Sequence, residues 1–318
     1  KMLSRRYLRI KVFQALYAYY QSDDKNLKKV ESELFLSIEK MYDLYLMLLI
    51  LGPELFHQSK LKMEGAKNKM LPTEDDLIPN TKFIDNKVFD LLENNSHLKS
   101  LIKEKKLSWS NDQELMIKLN AFLKGHEIYK NYVASKTSSF EEDQKFVVDF
   151  YKKIIPDFDL LLSVLQDKSI FWGLEEIDFI LSMILKTVKK FTPKSTAFEK
   201  LLPLYRDEEE DIQFVKDLLH ETIANDKENS KLIADKTKNW DVDRIAMVDI
   251  ILMKMALSEL LYFKSIPIKV TLNEYIELSK WYSSPKSKIF VNGVLDKLVL
   301  ELKEKGQLKK IGRGLLES

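Results

Sequence analysis

Chemistry in a protein begins with side chains that hold protons, metals or electron pairs at close spacing. Here they do not gather. His57, His97, His126 and His220 are scattered, with no i,i+4 pair and no metal-ligand spacing. There is no Cys, hence no thiol or disulfide chemistry. No Gly-rich phosphate loop occurs, and Ser, His and Asp form no group. Paired carboxylates are abundant, as on any charged helix surface, and give no support to acid–base work. No catalytic, metal or cofactor site is expected.

What remains is positive charge in unusual places. Arg5, Arg6, Arg9 and Lys11 fall in the first two turns of an amphipathic helix over 4–22, with Ser4 placed to cap it. Cations at a helix N-terminus oppose the macrodipole and cost roughly a few tenths of a kcal/mol each. Two reasons could offset that: contact with phosphates, or an exposed end at which the cost is tolerated. A second group lies near the other end of the chain, where Lys286, Lys288, Phe290 and Asn292 open a final helix from about 286. Phe290 could stack on an unpaired base, worth roughly 1–3 kcal/mol, and Asn292 could bond a base edge. Equally, Phe290 could be core and Asn292 a brace. Gly293, inside that helix at a cost of about 1 kcal/mol against Ala, points to a close helix–helix approach. Glu274 and Glu277 share one side of a preceding helix over 269–283 and suit bracing or a protein partner.

Charge follows the same plan. The chain has 318 residues and a net charge of +2. Residues 1–30 carry +6 and residues 264–318 carry +5, leaving the body between them at −9. Basic ends suggest a polyanionic partner; the plainer reading is a solvated Lys-rich surface.

The elements that position these residues read as helices throughout. Gly and Pro number only eight each, while Leu, Lys, Glu and Ile dominate, and no long period-two alternation demands a sheet. The expected fold class is all-α. Helices are predicted over 4–22, 26–51 (stopped by Gly52-Pro53), 54–70, 83–93, 96–105 and 111–134. Another starts at Ser138 or Ser139, and further ones span 208–223 and 226–238. Residues 71–82 read as a loop and 192–207 as the main linker. The segment 241–264 is the central helix: in 245–257 eleven of thirteen residues are apolar, interrupted only by Asp249 and Lys254. An offset of 68 residues relates 140–191 to 208–259. It aligns Phe146 with Phe214, Val147 with Val215, Asp149 with Asp217, and Trp172 with Trp240. The longest apolar run, 44–51, is eight residues, far short of the roughly twenty that span a bilayer. No apolar leader core follows the basic N-terminus, so a cytoplasmic protein is expected.

Four stretches carry a resemblance: RRYLRIKVFQALY at 5–17, RIAMVDIILMKMALSEL at 244–260, IPIKVTLNEYIELSKWYS at 266–283 and KIFVNGVLDK at 288–297. In order and spacing the chain resembles the NusB family of bacterial transcription antitermination factors. The resemblance implies a non-catalytic NusB-like helical bundle that needs no cofactor. Such a protein pairs with NusE, a small-subunit ribosomal protein, and binds boxA-type RNA. It joins the RNA polymerase antitermination complex and promotes read-through in ribosomal RNA operons. Carried over by motif, the RNA-contacting positions are Arg5, Arg6, Arg9, Lys286, Lys288, Phe290 and Asn292. Partner contact falls to Tyr17, Asp249, Glu274 and Glu277, with Asp249 readable also as a buried carboxylate paired with a cation. Tyr7 and Leu8 interrupt the denser basic run that the family often has. Family members are usually about half this length. Residues 1–25 with 208–304 are therefore expected to form the NusB-like domain, 26–200 an inserted helical lobe whose 140–191 is a degenerate copy of 208–259, and 305–318 a basic tail. The alternative is a helical protein-interaction scaffold that has lost RNA binding. A methyltransferase accessory role would need a nucleotide-cofactor domain, and no Gly-rich strand–turn–helix is present.

Overall fold

A computed structural model describes residues 1–67, 70–71, 73–237, 246–284 and 286–315. Among them there are helices and turns and no strand. The helices are α1 (Arg5–Gln21), α2 (Leu27–Leu49), α3 (Leu51–Lys67), α4 (Glu74–Leu77), α5 (Lys87–Asn94), α6 (Ser96–Lys105), α7 (Gln113–Gly125) and α8 (Glu127–Ala134). Then come α9 (Phe140–Asp149), which runs on as a π-helical turn (Phe150–Ile154), α10 (Asp159–Lys168) and α11 (Leu174–Lys190). The last are α12 (Glu208–Ala224), α13 (Asp226–Lys236), α14 (Met247–Tyr262), α15 (Ile268–Tyr282) and α16 (Ser287–Glu304), followed by a 3-10 turn (Gly312–Leu315). The chain divides into two compact units, Lys1–Leu36 with Leu204–Ser318, and Ser37–Pro203; the division falls inside α2.

The first unit is built around α14, against which α1, α12, α13, α15 and α16 all pack. Every residue from 251 to 260 is buried, as expected of a helix apolar on nearly every side. The expected start of this helix, 241–245, lies outside the described residues, as do Trp240, Arg244 and Pro285. Ser4 caps α1 as expected, its hydroxyl accepting from the Tyr7 amide at 3.2 Å. The buried stripe of α1 is wider than its apolar spacing suggests: Leu8, Val12 and Leu16 are joined by Arg9, Ile10, Lys11 and Phe13. The segment after α16 is docked. The Lys310 ammonium donates to the carbonyls of Glu259 (3.4 Å) and Phe263 (3.0 Å), closing the C-terminal end of α14. Burial pushes this lysine's pKa down, partly offset by the Glu259 charge. At Gly314 a Cβ would stand 2.0 Å from the Lys264 carbonyl oxygen, so this close approach requires glycine.

In the second unit α3, α5, α9 and α11 pack in sequence. An aromatic group of Phe56, Phe83, Phe89, Phe146 and Phe150 lies in its core, with ring centroids 5.7–6.3 Å apart in mostly edge-to-face geometry. Buried polar tips find carbonyls: the Trp109 indole donates to Met47 and the Tyr151 hydroxyl to Leu49. Gly52-Pro53 does not stop α2. The break comes earlier, at Ile50, and Pro53 sits in the first turn of α3, where its missing N–H costs nothing. Gly52 instead admits Phe89, whose ring would stand 2.3 Å from a Cβ. The single helix expected over 111–134 is two, because the His126 ring accepts from the Ile128 amide and starts α8.

Candidate nucleic-acid interface

The three arginines of α1 diverge. Arg5 and Arg9 are one turn apart and lie on the same side, both against the ring of Phe214 from α12, at 4.4 and 5.2 Å. Arg5 pairs with Asp211 at 2.8 Å and donates to the Glu210 carbonyl at 3.3 Å. Arg9 goes inward. It is 2% exposed and holds Glu259 of α14 through two bonds of 2.7 Å. The Glu259 carboxylate also accepts from the Thr271 hydroxyl (2.8 Å) and the Tyr275 hydroxyl (3.1 Å), both on α15. Burial works to lower the pKa of Arg9, but the charge and hydrogen bonds of Glu259 outweigh it and leave it raised. Arg9 is thus a buried structural cation, not a surface phosphate contact. A buried carboxylate on α14 demands a fully bonded partner, and a bidentate guanidinium supplies it.

Arg6, about 100° further round the helix, faces outward along α15. It is half-exposed and grips Glu274 through two bonds of 2.8 Å. Its guanidinium also lies 5.7 Å from the centre of the Trp281 ring. The Glu274 hydrogen bonds raise its pKa against the opposing effect of partial burial. Glu277, one turn beyond Glu274, is ion-paired with Lys280. Its pKa is lowered first by that hydrogen bond, with Arg6 and Lys288 adding attraction. Glu274 is therefore a brace between α1 and α15, and Glu277 lies in a field of three cations.

The start of α16 completes this face. Lys286 and Lys288 are exposed, while the hydroxyls of Ser283 and Ser284 meet that of buried Ser287 at 2.8 and 2.9 Å and fix the turn. Phe290 is 8% exposed, so it belongs to the core and cannot stack on an external base. Asn292 is half-buried and donates to Asp296 at 3.1 Å, a brace along its own helix. Gly293 is exposed, with open space where a Cβ would stand, so among the described residues no helix approaches it closely. Tyr17 is exposed, beside Phe13, which in turn lies against Tyr282. Asp249 is buried, and its Oδ1 has no partner among the described residues.

The structure thus brings Arg6, Lys288, Glu274 and Glu277 to one face, leaves Lys286 exposed at the start of α16, places Arg5 beside α12, and withdraws Arg9, Phe290 and Asp249. On the Arg5 side an open cleft of about 1160 Å³ is lined by Arg5, Arg206 and Arg313 together with Glu209, Glu210 and Asp217. The residue that sequence reasoning missed is Trp281: it stands 55% exposed beside Arg6. Its signal was a large aromatic at the end of an amphipathic helix, next to Lys280 on the polar side. Among the described residues, no group of His, Asp or Glu could hold a metal ion, and no helix is long and apolar enough to cross a membrane.

A family profile described as "NusB family" matches residues 182–300, from within α11 through most of α16. Curated relatives named "Transcription antitermination protein NusB" match as well. The protein from Salinibacter ruber is 44% identical over 32% of this chain and 64% of its own length. The one from Chloroherpeton thalassium is 42% identical over 33% of this chain and 49% of its own. The one from Alkaliphilus oremlandii is 39% identical over 29% of this chain and 67% of its own. The chain thus spans between half and two thirds of the curated relatives it matches. No solved structure matches. The profile covers Glu259, Glu274, Trp281 and Lys288 and leaves α1, with its arginines, outside. On the profile match, and on 39% identity across 67% of the Alkaliphilus protein, the chain belongs to the NusB family.

Proposed function

We propose that this chain is a non-catalytic transcription antitermination factor that binds single-stranded RNA of the boxA type, acts together with NusE in the cytoplasm, and promotes read-through of ribosomal RNA operons as part of the RNA polymerase antitermination complex. The observation that carries the RNA part of this reading is that Arg6 and Lys288, cations from the two ends of the chain, act on the same Glu277 carboxylate, with Lys286 exposed two positions before Lys288. Phosphates are bound by such clustered lysines and arginines without regard to sequence. Relatives that carry the antitermination name support the assignment of process. Of the seven residues first considered for RNA contact, Lys286, Lys288 and Arg6 hold the central place, with Arg5 at the edge. Tyr17 and the outer side of α15 are assigned to NusE.

The same reading takes 1–25 with 208–304 as the RNA-binding domain, 26–200 as an insertion, and 140–191 as a degenerate copy of 208–259. Two features support the copy. Helices α9 and α12 start 68 residues apart and α10 and α13 end 68 apart. At the same offset, the Ser139 hydroxyl accepts from the Glu142 amide and the Asp207 carboxylate accepts from the Glu210 amide, each at 3.1 Å.

One observation favours a second reading, a protein-interaction scaffold without RNA: Arg5 and Arg6 already have carboxylate partners. A titration of the full chain with boxA-type and scrambled RNA, with and without NusE, separates the two. Preference for boxA in the presence of NusE is expected. Equal binding of both RNAs, or none, would sink the first reading.

A further inference from the structure

The face around Arg6 contains a large side chain that neither packing nor the family match explains. Trp281 ends α15 and is 55% exposed, although an indole buries more apolar surface than any other side chain when it is used as core. Ile289, in the first turn of α16, is 75% exposed close by in sequence. The Trp281 ring is held from one side by the Arg6 guanidinium, 5.7 Å from its centre, and Arg6 is itself fixed by two bonds to Glu274. The indole is thus partly desolvated and positioned by a cation, yet keeps more than half of its surface open. Lys280, Lys286 and Lys288, all within seven positions of it in sequence, are exposed, and Lys288 acts with Arg6 on the Glu277 carboxylate. Against Glu274 and Glu277 the four cations leave an excess of two positive charges.

We propose that Trp281 is the base-stacking platform of this protein: an unpaired base of a single-stranded RNA lies on its indole while Lys286 and Lys288 hold the flanking phosphates. This inference rests on the RNA-binding reading and assigns the stacking role that buried Phe290 cannot fill. An aromatic plane beside phosphate-binding lysines is the arrangement by which single strands are held. An apolar protein partner would suit an aromatic ringed by uncharged side chains. An exposed indole held by one cation, with three exposed lysines close to it in sequence, matches a polyanion with flat, stackable groups instead.

The test uses the full chain and a boxA-type single-stranded oligonucleotide. Trp281→Ala is expected to weaken binding about fivefold to a hundredfold, without changing the slope of log K against log salt, because stacking releases no counterions. Trp281→Phe is expected to retain most of the affinity, since a smaller ring still stacks. Because Trp281 is exposed, both variants are expected to melt at the wild-type temperature. RNA is expected to quench the part of the indole fluorescence that is lost in Trp281→Phe, which keeps Trp109, Trp172 and Trp240. If wild type binds and Trp281→Ala binds equally well, the platform is refuted while the RNA reading stands. If wild type itself does not bind, the RNA reading fails, and the platform with it. If Trp281→Ala loses NusE and keeps RNA, the surface is a protein interface and the proposal is wrong.

Discussion

Arg9 is the residue at which type and role part most sharply. Its type and its place at a helix start both suggest a phosphate contact, yet it lies under the surface with Glu259. The signal available in the sequence was Glu259 rather than Arg9. A carboxylate within the apolar run of α14 needs a cation, and the nearest in space comes from 250 positions away. Pairing over such a separation leaves no mark in local periodicity, whereas the Ser4 cap, a local bond, was legible. Removing one partner of a buried, fully bonded pair is costly. Arg9→Met is expected to lower stability by about 3–5 kcal/mol, as measured by urea unfolding. Adding Glu259→Gln to Arg9→Met is expected to recover part of that loss. An Arg9→Met midpoint equal to wild type would mean that the pair contributes nothing. Phe290 follows the same logic: spacing placed it at the start of α16 but could not say which side of the helix met the core.

At the scale of elements, helices with strong end signals were readable and closely packed breaks were not. α9 starts after Ser139 as its cap and acidic first turn predict. The break comes at Ile50 and Gly-Pro lies inside the first turn of α3, where Gly52 leaves room for Phe89. The docking of the segment after α16 was equally hidden, since it depends on Lys310 reaching two carbonyls at the end of α14. Gly314→Ala would force a Cβ against the Lys264 carbonyl. It is expected to cost about 1–3 kcal/mol and to speed hydrogen exchange over 305–315. Unaltered exchange there would show that the turn gives way freely. In the second unit Glu142, near the start of α9, has its pKa lowered to about 2 by the Ser135 hydroxyl first, with Lys82 and the Thr137 hydroxyl adding to it, against the opposing effect of burial. A folded pKa below the unfolded value near 4.5 means that the unfolded chain binds the proton first. Its stabilising contribution is therefore complete above about pH 4.5 and is lost as the pH falls towards about 2. Acid unfolding of Glu142→Gln is expected to be less steep across that window. Identical acid profiles for variant and wild type would contradict the assignment.

For the molecule as a whole, the all-α class follows from composition, because few Gly and Pro and many Leu, Lys and Glu leave little else. The candidate site was legible only in part. Its chemistry was visible in the basic ends, but which cations reach solvent depends on carboxylates contributed by α12, α14 and α15. Trp281 became visible only once Arg6 was seen beside it. If the Arg6, Lys286 and Lys288 face binds RNA through phosphates, then Lys286→Gln and Lys288→Gln are each expected to weaken binding to all RNA sequences alike and to reduce the salt slope by about 1. The measurement that bears most directly on the account is the equilibrium affinity of the full chain for single-stranded boxA-type RNA and for its scrambled counterpart, taken across a salt series with NusE present. The account predicts tighter binding of boxA-type RNA and an affinity that falls steeply with salt. Equal, salt-independent affinities for the two RNAs would contradict it.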